Sequence, residues 1–405
     1  MSCTALIAGG GIGGLASALA VSRAGWDVKL LERTPSFSEV GAGIQLGPNV
    51  VKVLHGWGLA DALEDVAAFP ERLQVRSAVS GNVLAELRLG GVMAERYGAP
   101  YITVHRADLH ALLLSAVQRQ TGATLYLDMP VQSFSQGAQS VTAQTACGQA
   151  LDGDVLVGAD GLWSAVRQHL LSDGPPRRTG HLAYRALVAQ SQLPERLRSQ
   201  LVTVWLGPRM HCVHYPVKNG EWLNTVAFVH GQVGKDLHDW DHSANATGLA
   251  SALAGSCTGL QDLVRAVPDW RLWVMHDRTP MQNATQLARG RVALLGDAAH
   301  PMRPYLAQGA GMALEDAAAL GVALGSVQSS PQKVPSALGR YAQGRWQRNA
   351  RVQAQALRNG QIFHAQGLLR WSRDVSLRLL GEKLLDMPWL YGATPKESGT
   401  IQTER

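Results

Sequence analysis

Cysteine is scarce in this chain, with four among 405 residues. Cys3, Cys147, Cys212 and Cys257 form no CxxC pair and no metal-ligand spacing. That pattern excludes a disulfide scaffold and a zinc module, and it suits free thiols in a reducing cytoplasm. No apolar run approaches the roughly 18–20 residues of a membrane span. The N-terminus lacks a basic stretch and its short apolar run ends in glycines, so no secretory signal is expected there. Basic residues do not cluster among aromatics, which argues against a nucleic-acid surface. The net charge of +6 is modest and suits small anionic partners. Repeats are absent, and low-complexity sequence is confined to the polar stretch 326–333. With 46% hydrophobic and 17% charged residues, the chain is globular and long enough for two or three domains.

Glycine is abundant, and its placement is informative. Ala5 to Ala8 reads as a short strand, Ala16 to Arg23 as a helix and Asp27 to Leu31 as the next strand. Between the first strand and the helix lies Gly9-Gly10-Gly11-Ile12-Gly13-Gly14. In such a turn Gly9 permits the tight bend, Gly11 lets backbone approach a pyrophosphate and Gly14 allows close packing. The helix start then offers free N–H groups and a positive dipole end to phosphates. Glu32 ends the second strand, where a carboxylate accepts both hydroxyls of an adenosine ribose. It would repel a 2′-phosphate, so the site suits FAD or NAD.

Two further segments share this strand-to-turn character. Asp154 to Val157 predicts a buried strand leading into Gly158-Ala159-Asp160-Gly161, with Ser164 and Arg167 on the helix behind. Val292 to Leu295 predicts another, leading into Gly296-Asp297-Ala298-Ala299-His300-Pro301. Asp297 is placed to accept from a ribityl hydroxyl. Gly309, Ala310 and Gly311 open a helix running to about Leu324, whose first N–H groups would face the flavin N1 and C2 carbonyl. No second GxGxxG is present, so a nicotinamide would bind only transiently.

Between the second and third segments the character changes. Tyr184–Gln190, Val202–Leu206 and Met210–Val229 are strand-like, and Asn219-Gly220 predicts a two-residue hairpin turn. The expected fold is α/β (α+β): a Rossmann-like FAD-binding domain interrupted by a mixed β-sheet substrate domain, with a helical C-terminal segment. Residues 1–72, 101–178 and 272–335 form the discontinuous FAD-binding domain. Residues 73–100 and 179–271 form the β-sheet substrate domain, and 336–405 the helical segment.

These motifs together resemble the single-component FAD-dependent aromatic hydroxylases, the superfamily of p-hydroxybenzoate hydroxylase. The nearest branch is that of salicylate hydroxylase and 3-hydroxybenzoate 6-hydroxylase. The resemblance spans nearly the whole chain. It includes Glu32-Arg33, Gly41 to Asn49, His105 to Leu109, Gly207 to His211, Tyr215-Pro216 and Pro388 to Gly392. It implies non-covalent FAD, with NADH or NADPH as transient co-substrate, and O2 activated as a C4a-hydroperoxyflavin. It implies that Gly9, Gly11, Ile12, Gly13 and Gly14 line the dinucleotide and that Glu32 and Arg33 meet the adenosine. Arg106 meets the phosphates, Val131 the adenine region and Asp297 the ribityl chain. Gln45, Asp160, Gly309, Ala310 and Gly311 complete the cofactor set.

For the chemistry itself the candidates are His211 and Tyr215. Side chains four apart on a strand share a face, roughly 13 Å apart along it. His214 faces the other way. The resemblance links His211 and Tyr215 to phenol activation and substrate contact. A base beside the substrate hydroxyl makes the ring more electron-rich. Tyr184, Arg185 and Arg209 are weighed as carboxylate binders against structural ion pairs, and His300 reads as structural. The expected substrate is a small phenolic or N-heteroaromatic acid of the salicylate or 3-hydroxybenzoate type. A hydroxylase of a bulkier aromatic such as a quinolone or polyketide, a flavin-dependent reductase and a non-enzymatic FAD scaffold remain alternatives. A cytoplasmic protein is expected, and a homodimer is compatible with the sequence.

Overall fold

The computed structural model describes residues 3–37, 42–231, 242–243, 246–395 and 401–402. Gly41, part of one motif above, lies outside them. The first sheet has six strands. In spatial order these are Ala288–Arg289, Val292–Leu294, Val155–Gly158, Thr4–Ala8, Asp27–Leu31 and Ala123–Tyr126. All pair in parallel except the first two, which pair antiparallel. Its strands read as nearly unbroken apolar runs because helices cover them. Thr4–Ala8 and Val155–Gly158 are accordingly almost wholly buried.

Helix Ile12–Arg23 crosses this sheet and packs against helix Gly309–Gly325. Small residues allow the close approach: a methyl group on Gly321 would lie 2.9 Å from Ala20 Cβ. Both helices begin without a side-chain cap and without an acidic residue in the first turn. All three glycine segments therefore meet at the carboxyl edge of the parallel strands, where ligands bind in open α/β sheets.

The second large sheet has eight strands. Their order is His242–Ser243, Arg271–Asp277, Arg177–Ala189, Trp222–His230, Met210–Val217, Val202–Gly207, Arg72–Ser77 and Val83–Arg88. It is mixed, since Val202–Gly207 runs parallel to Arg72–Ser77 while its other described pairs are antiparallel. The hairpin at Asn219-Gly220 is longer than expected. Val217 pairs with Trp222, so four residues turn, and Lys218, Asn219 and Gly220 all have positive φ. Asn219 spends its side chain on the Asp65 carbonyl at 2.8 Å, which widens the turn. The two-residue turn of this sheet lies instead at Pro208-Arg209, between paired Gly207 and Met210. Pro208 fixes the first φ and Arg209 adopts φ 57°.

A three-stranded sheet of Gly43–Leu46, Ile102–His105 and Ala67–Ala68 lies between the two large ones. Thr103 Oγ1 donates to the Pro216 carbonyl at 2.5 Å, tying it to the eight-stranded sheet. Gly43 N–H donates to Asn224 Oδ1 at 2.7 Å. A second small sheet, Val131–Gln136, Val141–Thr145 and Ala150–Gly153, is antiparallel. The C-terminal segment is helical: Val334–Phe363, Gly367–Leu380, Glu382–Leu385 and Pro388–Tyr391. Among the described residues no helix is long and apolar enough to cross a membrane.

Candidate active site

The glycine turn is closed from below by its own backbone. Gly9 has φ 102°, and a Cβ there would lie 2.5 Å from the Ala159 carbonyl oxygen, so the first segment leans directly on the second. A Cβ on Gly14 would lie 1.8 Å from the Gly9 oxygen. Gly13 leaves room for Leu295 and Ala313, which draws the third segment against the same turn. Ile12 is buried at the start of the helix behind Gly11. Such a cradle, which any side chain would fill, ends at two uncapped helix starts and suits a pyrophosphate.

Glu32 is tied to this turn. Its Oε2 accepts from Gly10 N–H at 2.5 Å, and its Oε1 from Thr34 N–H at 3.0 Å. His110 Nε2 holds the Gly10 carbonyl at 2.8 Å and its ring lies against Phe37. Neither His110 nor Phe37 was singled out by motif, because neither belongs to a glycine pattern. Arg33 is exposed beside Glu32, and Val131 is half-buried at the start of its strand. Arg106 begins helix Arg106–Gln118, with its N–H on the Ala42 carbonyl at 2.8 Å.

Asp160 accepts from Ser164 Oγ at 2.5 Å and from Val166 N–H at 3.2 Å, which shapes the second turn. Burial raises its carboxyl above the ordinary value, against these hydrogen bonds. Arg167 is committed to Asp173 at 2.6 Å and to the carbonyls of Ala298 and Ala299. It locks the second segment to the third. Asp297 is exposed although its neighbours on both sides are buried, so its carboxylate projects from the third turn. Gly309 and Ala310 are half-buried at the second helix start, and the bare Cα of Gly311 makes room for Val50.

Behind this turn lies a buried ionic cluster. Arg345 donates to Glu315 at 2.8 Å and to Asp316 at 2.7 Å. Arg348 grips both oxygens of Glu315, at 2.7 and 2.8 Å, and reaches the Trp389 and Leu390 carbonyls. Asn49, Asn349 and His300 complete the shell, with His300 Nε2 2.5 Å from Asp316. Against burial, Arg348 and Arg345 hold Glu315 down to about 2. Against burial, His300 and Arg345 hold Asp316 well below the usual carboxylate range. This is the structural role expected for His300.

The eight-stranded sheet presents the remaining candidates. Tyr215 is buried beside Gly43, where a Cβ would lie 2.5 Å from its ring. Burial raises its phenol, with Arg185 and Gln45 opposing. Gln45 Oε1 accepts from Tyr101 at 2.6 Å. Burial lowers the Arg185 guanidinium to about 10; Arg106 adds to this, while Tyr215 and Asp297 oppose it. With Tyr215 on one side and Arg106 and Asp297 on the other, Arg185 lies between the sheet and the glycine segments. Its Nε has no hydrogen-bond partner among the described residues, and it stacks over Trp273 at 5.0 Å.

His211 is 1% exposed. Its ring stacks on Phe228 at 4.5 Å and meets Tyr305 and Phe363 edge-on at 4.8 and 5.3 Å. Burial, with His364 and His181 nearby, holds it well below the usual imidazole value, so it is a neutral acceptor at pH 7. His214 lies on the opposite face beside Trp205, at 6.4 Å between rings. The sheet brings three more histidines to His211 from distant segments: His181, His230 and His364. The sequence signals none of them, because they meet only in three dimensions. Their ligand nitrogens lie within 4.8 Å of one another, a spacing that a metal ion could also use.

A glycine-cradled dinucleotide site facing a sheet with a buried neutral histidine and aromatic walls fits a flavoprotein monooxygenase. Comparison with known proteins agrees. Residues 2–356 match the family described as FAD binding domain, and the chain belongs to that family. It is 38% identical over 390 residues to 3-hydroxybenzoate 6-hydroxylase of Polaromonas naphthalenivorans, covering 96% of this chain and 95% of the relative. It is 35% identical to 6-hydroxynicotinate 3-monooxygenase of Bordetella bronchiseptica, covering 86% and 88%. Among solved structures, a salicylate hydroxylase substrate complex superposes with a TM-score of 0.83 at 27% identity, covering 98% and 97%. The protein is an FAD-dependent monooxygenase.

Proposed function

We propose that the protein hydroxylates the ring of a small phenolic acid, of the 3-hydroxybenzoate or salicylate type, using NADH or NADPH and O2. A hydroxypyridine acid such as 6-hydroxynicotinate is the heteroaromatic variant of the same chemistry. The observation that carries this reading is the buried neutral His211, walled by Phe228, Tyr305 and Phe363 on the strand that also holds Tyr215. Bound FAD, once reduced, supplies activated oxygen.

The residues of the chain do the rest. In this reading 1–72, 101–178 and 272–335 hold FAD. Gly9, Gly11, Ile12, Gly13, Gly14, Glu32, Arg33 and Arg106 take its nucleotide end, with Val131 at the adenine. Gln45, Asp160, Asp297, Gly309, Ala310 and Gly311 take its flavin end. Residues 73–100 and 179–271 cover the ring, and 336–405 brace the sheet. His211 Nε2 is the nitrogen left over once Nδ1 meets His364. It accepts the substrate's phenolic proton, and the phenolate attacks an electrophilic oxygen better than the phenol. Arg185 receives the carboxylate and Tyr215 orients the ring. The aromatic walls exclude water, which protects activated oxygen from loss as peroxide.

The test is NADH and NADPH oxidation against a panel of hydroxylated benzoates and pyridines, with products identified by mass. Coupled hydroxylation of 3-hydroxybenzoate or salicylate is expected. Benzoate should yield peroxide without hydroxylated product. If no panel member raises nicotinamide oxidation above its basal rate, the reading fails.

A further inference from the structure

His211, His364 and His230 form one continuous file. His211 Nδ1 lies 2.7 Å from His364 Nε2, and His364 Nδ1 lies 2.9 Å from His230 Nε2. Both ring nitrogens of His364 are used in this way. The file starts at a buried ring, passes through His364 at 6% exposure and ends at His230, which is exposed. A buried base that takes a proton must also lose it, because burial penalises the charged ring. A neutral imidazole carries a donor on one side and an acceptor on the other, so a file of them conducts protons without large movement.

We propose that His364 and His230 form a proton relay that takes the substrate's phenolic proton from His211 to solvent. The inference rests on His211 being the base. In the starting tautomers each Nδ1 of His211 and His364 donates along the file toward His230. The phenol O–H bond breaks and His211 Nε2–H forms. His211 Nδ1–H breaks and His364 Nε2–H forms. His364 Nδ1–H breaks and His230 Nε2–H forms, and His230 gives the proton on its other nitrogen to water. One proton leaves, the substrate keeps the negative charge and nothing is oxidised. When the product oxygen takes a proton back, the file runs in reverse and its tautomers are restored.

The surroundings keep the proton moving. Arg209 acts on His230, Arg373 on His364, and Arg303 on both and on His181. The acid acting on His181 is Asp277, itself paired with Arg177 at 3.0 Å and Arg303 at 2.8 Å. Tyr305 hydrogen-bonds His181, which stacks on His230 at 4.3 Å. Burial and these arginines disfavour a resting imidazolium at His181, His230 and His364. His364 caps the C-terminus of helix Val334–Phe363, whose negative dipole end eases the transient charge there. Inter-ring contacts of 2.7 and 2.9 Å hold a shared proton between nitrogens.

His364 and His230 act through His211 and so are positioning residues, tested by proton release. FAD-loaded enzyme, without nicotinamide or O2, is mixed with 3-hydroxybenzoate or salicylate in dilute buffer containing a pH dye. Substrate absorbance reports phenolate formation, and the dye reports the released proton. Wild type should ionise the substrate and release the proton together. His230→Gln and His364→Gln should reach the same extent of ionisation with release slowed on the order of 10²-fold. Added imidazole should restore the rate in His230→Gln, which alters an exposed residue and leaves the core intact. Wild-type release rates in both variants would overturn the relay and leave His211 as base. Loss of ionisation in His364→Gln would make that residue a prop for His211 and also overturn the relay. Full ionisation in His211→Gln would instead remove the base, and the relay with it.

Discussion

Two buried polar clusters sit at opposite ends of the loop from His300 to Tyr305, and they are built on opposite terms. At His300, acids meet matched cations: Glu315 and Asp316 are held by Arg345, Arg348 and two asparagines. At Tyr305, rings meet rings, and His181, His211 and His364 are held neutral by burial and by neighbouring histidines, with Arg303 adding to this at His181 and His364. The first cluster has fixed charges, two acids against two guanidiniums, so it joins five segments firmly, from Asn49 to Leu390. The second has spare donors and acceptors and an exposed end at His230. Matched charge makes a rivet; unmatched neutral rings leave protons free to move. A buried polar residue therefore signals chemistry only when its partners leave it room to change state.

The largest expected effect breaks the second cluster. His211→Ala should retain FAD and still consume NADH, but the hydroxylation step should fall on the order of 10²–10⁴-fold with peroxide made instead. Product and peroxide yields per NADH measure it. Wild-type coupling would reduce His211 to a core histidine. Next, Arg345→Met breaks the first cluster by leaving Asp316 and Glu315 short of a cation. Removing one partner of a buried pair costs about 3–5 kcal/mol, read as a lowered denaturant midpoint. A midpoint matching wild type would mean that Arg348 and the asparagines suffice.

Acid separates the clusters in a single titration. A histidine depressed in the fold stabilises it above the unfolded value of about 6.5 and loses that contribution as pH falls toward the folded value. Burial first, then neighbouring histidines and Arg303, brings His181 to about 4 and His364 to about 3. Glu315, depressed to about 2 by Arg348 and Arg345 against burial, stabilises the fold above its ordinary value of 4.5 and loses this only below it. Stability should therefore begin to fall below about pH 6.5, before any carboxylate of the ionic cluster titrates. His364→Gln should flatten the decline from about pH 6.5 down to about 3, most cleanly in the upper window above about 4.5, where no carboxylate of the ionic cluster contributes. An unchanged slope in that upper window would contradict the assignment. The smallest effect is expected from His214→Gln, on the far face beside Trp205, which should leave coupling unchanged. Damage equal to that of His211→Ala would overturn the strand-face argument.

Much of the cofactor half was legible because its demands are local. Gly9 and Gly14 must be glycine for reasons confined to one turn. The eight-stranded sheet was legible as strands but less so in its turns, where Asn219-Gly220 suggested a shorter loop than the four residues observed. The histidine cluster could not be read. His181, His230 and His364 come from two strands and a helix end, and no periodicity links them. Arg167 shows the converse. It stands on the helix behind a glycine segment, yet its guanidinium is occupied by Asp173 and two backbone carbonyls, a bracing role that no spacing announces.

One consequence lies at Gly43, whose N–H rests on Asn224 and whose missing side chain leaves Tyr215 its place. The spacing between the three-stranded and the eight-stranded sheet is gauged there by a single hydrogen atom. A bulky spacer can be exchanged for another of similar volume, but the smallest residue has no neighbour below it. Any substitution can only push the two sheets apart. The enzyme thus has a mechanical zero at this point, from which the sheets can part but never draw closer.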